Sequence, residues 1–125
     1  MPEQNDFHSL VEGICQRDIR YKPDAYEFVL EALYFTQKKL EKAGHVSGKE
    51  LLEGIREFAL QQYGPMARTV FSHWGINKTD DFGNMVFNMI DKKLLSKTEL
   101  DTIEDFRAVY EFDTALKPAP GNIEI

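Results

Sequence analysis

Apolar residues recur every three to four positions along most of this chain, and the recurrence divides it into helices. Phe7, Leu10, Val11, Ile14 and Cys15 form one stripe at helical spacing, and Asp6 stands where it can cap the first turn. Residues 1–5 are polar and are expected to be a loose tail. The stripe runs out in QRDIRYK, and Pro23 then opens the next helix at a position where its missing N–H is no loss.

That next helix, residues 23–41, is the one the others are expected to surround. Wound at 100° per residue, it puts Glu27, Glu31, Tyr34, Gln37 and Lys38 on a narrow strip. Ala25, Tyr26, Phe28, Val29, Leu30, Ala32 and Leu33 fill most of the rest, with Phe35, Thr36 and Leu40 beyond them, an apolar arc of roughly 200° against about 100° for an ordinary surface helix. Lys38, Lys39 and Lys42 sit against its C-terminal dipole, and Ala43-Gly44 ends it.

Ser47-Gly-Lys-Glu50 is a capping box. The helix it starts turns Leu51, Leu52, Ile55, Phe58 and Ala59 to one side, and Gly54 in its interior costs about 1 kcal/mol relative to Ala. Close approach to the central helix is the expected reason for that glycine. Gly64-Pro65 separates this helix from a short one carrying Met66, Ala67, Val70, Phe71 and Trp74, which Gly75 closes as an αL cap. Thr79 is expected to cap a further helix, with Asp80 and Asp81 at its start, Lys92 and Lys93 at its end, and Phe82, Met85, Val86, Met89 and Ile90 inward.

Beyond Lys93 the period changes. Phe106, Ala108, Tyr110 and Phe112 alternate by two, which favours a strand paired with residues 94–98 across an acidic loop. Ile103, Phe106, Val109 and Tyr110 also fit a helix from Asp101 onward. The tail from Lys117 is broken by Pro and Gly and is expected to be loose. The pattern therefore predicts one mainly α domain over 1–125: about five helices around a central buried one, with a small C-terminal β-hairpin giving a winged-helix-like C-terminal part.

Electrostatics change what that last feature would mean. Residues 99–113 hold six acids (Glu99, Asp101, Glu104, Asp105, Glu111 and Asp113) against Arg107, and the 79–93 helix offers Asp80, Asp81, Asn84, Asn88 and Asp91 with its lysines only at the far end. Phosphates would be repelled, so nucleic acid is an unlikely partner and the winged-helix reading is the alternative. The net charge of −6 agrees. Aromatics at 12% and apolar residues at 42% suffice for a core at this length.

A single cysteine, Cys15, excludes an intramolecular disulfide and a cysteine-based zinc site, and its place on the apolar stripe reads as a small hydrophobe. No basic region followed by an apolar run marks a signal peptide, and no stretch is long enough to cross a bilayer, so a cytoplasmic setting is expected.

Candidate chemistry is sparse. Arg17, Arg20 and Lys22 form a positive corner that could hold a phosphate or an acidic partner, although Asp18 and Asp24 beside it suit a solvated corner better. His73 beside Trp74 could bind a ring at the lip of a cleft, although a histidine near a helix C-terminus more often complements the dipole. Arg17, Arg20, His73 and Trp74 are accordingly the candidate binding residues. His8 and His45 add no metal spacing, no nucleotide-binding or hydrolase motif occurs, and neither catalytic residue nor cofactor is indicated.

The blocks RYKPDAYEFVLEAL, HVSGKELLEGIREFALQQYGPMARTVFSHWGI, DFGNMVFNMI and LLSKTELDTIEDFRAVYEF resemble a family of small bacterial proteins to which no activity is assigned. The likeness runs from Phe7 to Leu116. It implies a bacterial, cytoplasmic, single-domain protein and supplies no functional residue to carry over. The expected role is a protein-interaction or assembly module, with a homodimer suggested by the breadth of the central arc and by the Ile123-Glu-Ile end. An enzyme or small-ligand binder is the further alternative.

Overall fold

A computed structural model describes residues 2–41, 46–95 and 106–116, with side chains from Phe7 onward. The described chain is mainly helical: α1 (Pro2–Arg17), α2 (Pro23–Lys39), α3 (Gly48–Tyr63), a 3-10 turn at Gly64–Met66, α4 (Ala67–His73), α5 (Thr79–Asp91) and the short α6 (Phe112–Ala115). Helix α1 begins at Pro2, ahead of the expected cap at Asp6, so residues 2–5 belong to it.

Helix α2 lies at the centre, packed most extensively on α3 and also against α1 and α5. Its buried residues are Ala25, Tyr26, Phe28, Val29, Ala32, Leu33 and Thr36. Glu27, Glu31, Tyr34 and Lys38 form its solvent edge as the 3.6-residue period requires. Leu40, at its C-cap, is exposed rather than buried. Rings converge on Phe28, whose centroid lies 5.4 Å from Phe58, 5.6 Å from Phe71 and 5.4 Å from Trp74.

The α2–α3 seam is close because Gly54 faces Thr36. A Cβ on Gly54 would lie 1.7 Å from Thr36 Oγ1 and 2.9 Å from its Cβ. Thr36 is buried and donates its hydroxyl hydrogen to the Ala32 carbonyl at 2.7 Å, so the hydroxyl is satisfied within its own helix. The start of α3 is fixed by the expected capping box: Glu50 N–H donates to Ser47 Oγ at 3.0 Å and Ser47 N–H to Glu50 Oε1 at 2.9 Å.

The described part of the expected C-terminal hairpin is not a strand. Among the described residues there is no strand; residue 106 opens a turn, Ala108 has φ 47°, and α6 begins at Phe112. The amides that a ladder would use are spent on the start of α5 instead. Ala108 N–H donates to Asp80 Oδ1 at 2.8 Å, and Val109 N–H to Thr79 Oγ1 at 2.9 Å. Phe106, Phe112 and Leu116 are buried and Tyr110 donates to the Leu52 carbonyl at 2.6 Å, so three of the four alternating residues anchor an irregular segment, while Ala108 is exposed. The hairpin's expected loop and the rest of its first strand (96–105), the tail 117–125, His45 and the Ala43-Gly44 stop lie outside the described residues.

Two smaller expectations also change. Thr79 is the first residue of α5 rather than its cap, and the Asp81 carboxylate takes the amide hydrogens of Asn77 and Lys78 at 2.8 and 3.2 Å. Met66 is 55% exposed, because it ends the 3-10 turn before α4's inward face starts at Ala67.

Candidate functional site

A long concave feature among the described residues runs along the outer seam of α1 and α2. Two cavities, of about 230 and 460 Å³, share Phe7, His8 and Glu27 and so form one trough. The middle turns of α1 contribute Phe7, His8, Val11 and Glu12, because residues four apart stand one above the other on a helix. From α2 come Pro23, Asp24, Glu27, Leu30, Glu31 and Tyr34, and Leu94, just past α5, closes the far end. The floor is apolar: Val11 is fully buried, and Phe7, Leu30 and Leu94 are half-buried on the core. The rim is acidic, and Tyr34 stands 59% exposed at one end.

A second cleft, about 270 Å³, lies at the start of α5, lined by Arg20, Lys78, Asp80, Asp81, Asn84 and Arg107. Its polar groups are largely engaged with one another. Arg20 clasps Asp18 through Nε at 2.8 Å and Nη2 at 2.7 Å, and Tyr21 donates to Asp81 Oδ1 at 2.6 Å. Asn84 donates to the Tyr21 hydroxyl at 3.0 Å, and Asn88 to both Asp18 Oδ2 at 3.0 Å and the Tyr26 hydroxyl at 3.1 Å. Hydrogen bonds from Arg20, aided by Asn88, hold the Asp18 carboxyl well below the usual carboxylate range. Burial, then the Asp81 carboxylate, pushes the Tyr21 phenol up; burial alone leads the rise of Tyr26 to about 12. This network latches the α1–α2 linker onto α5. It also engages Asn84 and Asn88, the side chains a DNA-reading helix would present.

The four candidate residues fall into different settings. Arg17 pairs with Asp91 at 3.1 Å on the surface, tying the end of α1 to the end of α5. Arg20 belongs to the latch and lies over the Tyr21 ring. His73 is exposed, whereas the Trp74 ring is 8% exposed and packs on Phe28, Tyr63 and Phe71. The backbone does bring two of these segments together: Lys22 N–H donates to the Trp74 carbonyl at 3.2 Å, and a Cβ on Gly75 would meet the Arg20 carbonyl oxygen at 2.1 Å. Neither His73 nor Trp74 lines the trough or the cleft at the start of α5.

The Cys15 thiol donates to the Tyr21 carbonyl at 3.5 Å, and burial together with Asp18 and Glu12 pushes its pKa up, which keeps it a thiol and a poor nucleophile. Among the described residues no group of three or more His, Cys, Asp or Glu side chains is placed to hold a metal ion. No described helix is long and apolar enough to cross a membrane.

No protein-family model, curated protein or solved structure matches this chain. The trough itself is the feature that linear reading missed. Glu27, Glu31 and Tyr34 were legible as a solvent edge and Phe7 and Val11 as core, but only the packing of α1 on α2 makes them the two sides of one groove.

Proposed function

We propose that this protein is an interaction module and that the α1/α2 trough is its binding site for a segment of another protein. The observation that carries the reading is the groove's make-up. An apolar floor continuous with the core lies open between charged rims, the composition expected where a partner's side chains complete a packed layer. The best-organised polar cluster elsewhere, at the start of α5, is hydrogen-bonded within the fold and supports a structural role.

A random peptide library displayed against the immobilised protein tests this, with Tyr34→Ala protein as counter-target. Tyr34 is mostly exposed, so its truncation leaves the core intact. Enrichment of apolar peptides on the wild type and their loss on the variant is the expected result. Enrichment that is indifferent to Tyr34→Ala and to Leu30→Asp would place binding elsewhere.

A further inference from the structure

We infer that the occupant of the α1/α2 trough is a cationic amphipathic helix of a partner protein. Its apolar stripe would lie on the Phe7–Leu30 floor and its lysines or arginines along Glu27 and Glu31. This rests on the groove being a binding site and names what it takes.

Charge is the first argument. Glu12, Asp24, Glu27 and Glu31 line the trough, and among the described residues no lysine or arginine does. None of the four is in an ion pair among the described residues, although Asp18, Glu53, Glu57, Asp91 and Asp113 all are. Four carboxylates beside an apolar floor, with His8 the basic side chain among the lining residues, leave an acidic excess that favours a partner bringing cations. They also disfavour a second copy of this chain, whose net charge is −6.

Conformation is the second argument. The backbone groups of a segment laid in a groove are satisfied within a helix, along a sheet edge, or by side chains and water. No strand is described here to extend, and a groove between two helices suits an amphipathic helix laid along them, whose backbone groups are satisfied within itself. Glu27 and Glu31 are one turn apart, about 6 Å along α2. Basic residues four apart on a partner helix have the same repeat.

Two fluorescein-labelled helical peptides of about 16 residues test the inference, sharing one leucine stripe and carrying either lysine or glutamate on the polar face. Fluorescence anisotropy against the full chain should show the lysine peptide binding at least ~10-fold more tightly, with the advantage shrinking between about 50 and about 300 mM salt. The Glu27→Lys/Glu31→Lys variant should reverse the preference. Glu41→Lys/Glu111→Lys, an equal charge change at exposed positions outside the trough, should preserve it. Equal affinity for both peptides, abolished by Tyr34→Ala, would overturn the charge inference and leave the binding-site reading standing. If neither peptide binds, both fail. A preference altered equally by the two charge-reversal variants would reduce it to net-charge attraction and overturn the inference.

Discussion

Replacing Gly54 with alanine probes the contact that sets the distance between α2 and α3. On helix propensity alone the change should stabilise by about 1 kcal/mol. The structure reverses the sign. The new methyl would sit 1.7 Å from Thr36 Oγ1, 2.9 Å from Cβ and 3.2 Å from Cγ2, where carbon–carbon contacts normally fall at about 3.5–4.0 Å. Rotating Thr36 moves the hydroxyl but not its Cβ, so the helices themselves must part by roughly 0.6–1 Å to restore that spacing. Overpacking of this kind costs about 1–3 kcal/mol, and turning the hydroxyl away from the Ala32 carbonyl adds about 1 kcal/mol. After the propensity gain, the net loss is about 2 kcal/mol, or a fall in Tm on the order of 8 °C for a chain of this size. Urea denaturation of wild type, Gly54→Ala, Thr36→Ala and the double variant measures it. Thr36→Ala removes the nearest atom but leaves the Cβ, so the coupling energy should be at least ~1 kcal/mol with part of the penalty persisting in the double variant. A Gly54→Ala protein more stable than wild type would refute the close approach.

Other consequences are as direct. Gly75→Ala combines φ 91° with a Cβ 2.1 Å from the Arg20 carbonyl oxygen, a backbone atom that cannot rotate away, and should cost at least ~2 kcal/mol by chemical denaturation. Ser47→Ala removes one half of the α3 capping box and should cost about 1 kcal/mol, whereas Arg17→Ala, which breaks an exposed ion pair, should cost between about 0 and 1 kcal/mol. Asp18 is acidified in the folded state, so its contribution is present above the unfolded value of about 3.9 and is lost as pH falls below it; Asp18→Asn should flatten the acid limb of a stability–pH curve. Tyr26, raised to about 12, contributes stability that is complete below an unfolded value of about 10 and lost as pH rises from there to the folded value, so Tyr26→Phe should flatten the alkaline limb.

The features legible in the sequence were those fixed by local rules. The Ser47/Glu50 box, the αL glycine at 75 and the 3.6-residue stripes of α2 and α5 depend on residues within one or two turns of each other. Gly54 was legible as well, since a costly glycine in a helix implies a close neighbour. Residues 106–112 were not. Their aromatic positions, Phe106, Tyr110 and Phe112, record which side chains anchor, while the backbone at Ala108 and Val109 is held by Asp80 and Thr79, about thirty positions earlier. Asn84 and Asn88 read as exposed for the same reason: their partners, Tyr21, Asp18 and Tyr26, lie more than sixty positions away. The trough is likewise a product of two helices, and neither helix pattern contains it.

The central claim is that the α1/α2 trough is where this protein meets its partner. Backbone amide chemical-shift mapping during titration with the lysine-faced helical peptide tests it most directly. Perturbations should concentrate on residues 7–12 and 23–34 and at Leu94, with Arg20, Lys78 and Arg107 of the cleft at the start of α5 left unmoved. Perturbations centred on that cleft, or spread evenly over the surface, would contradict the claim.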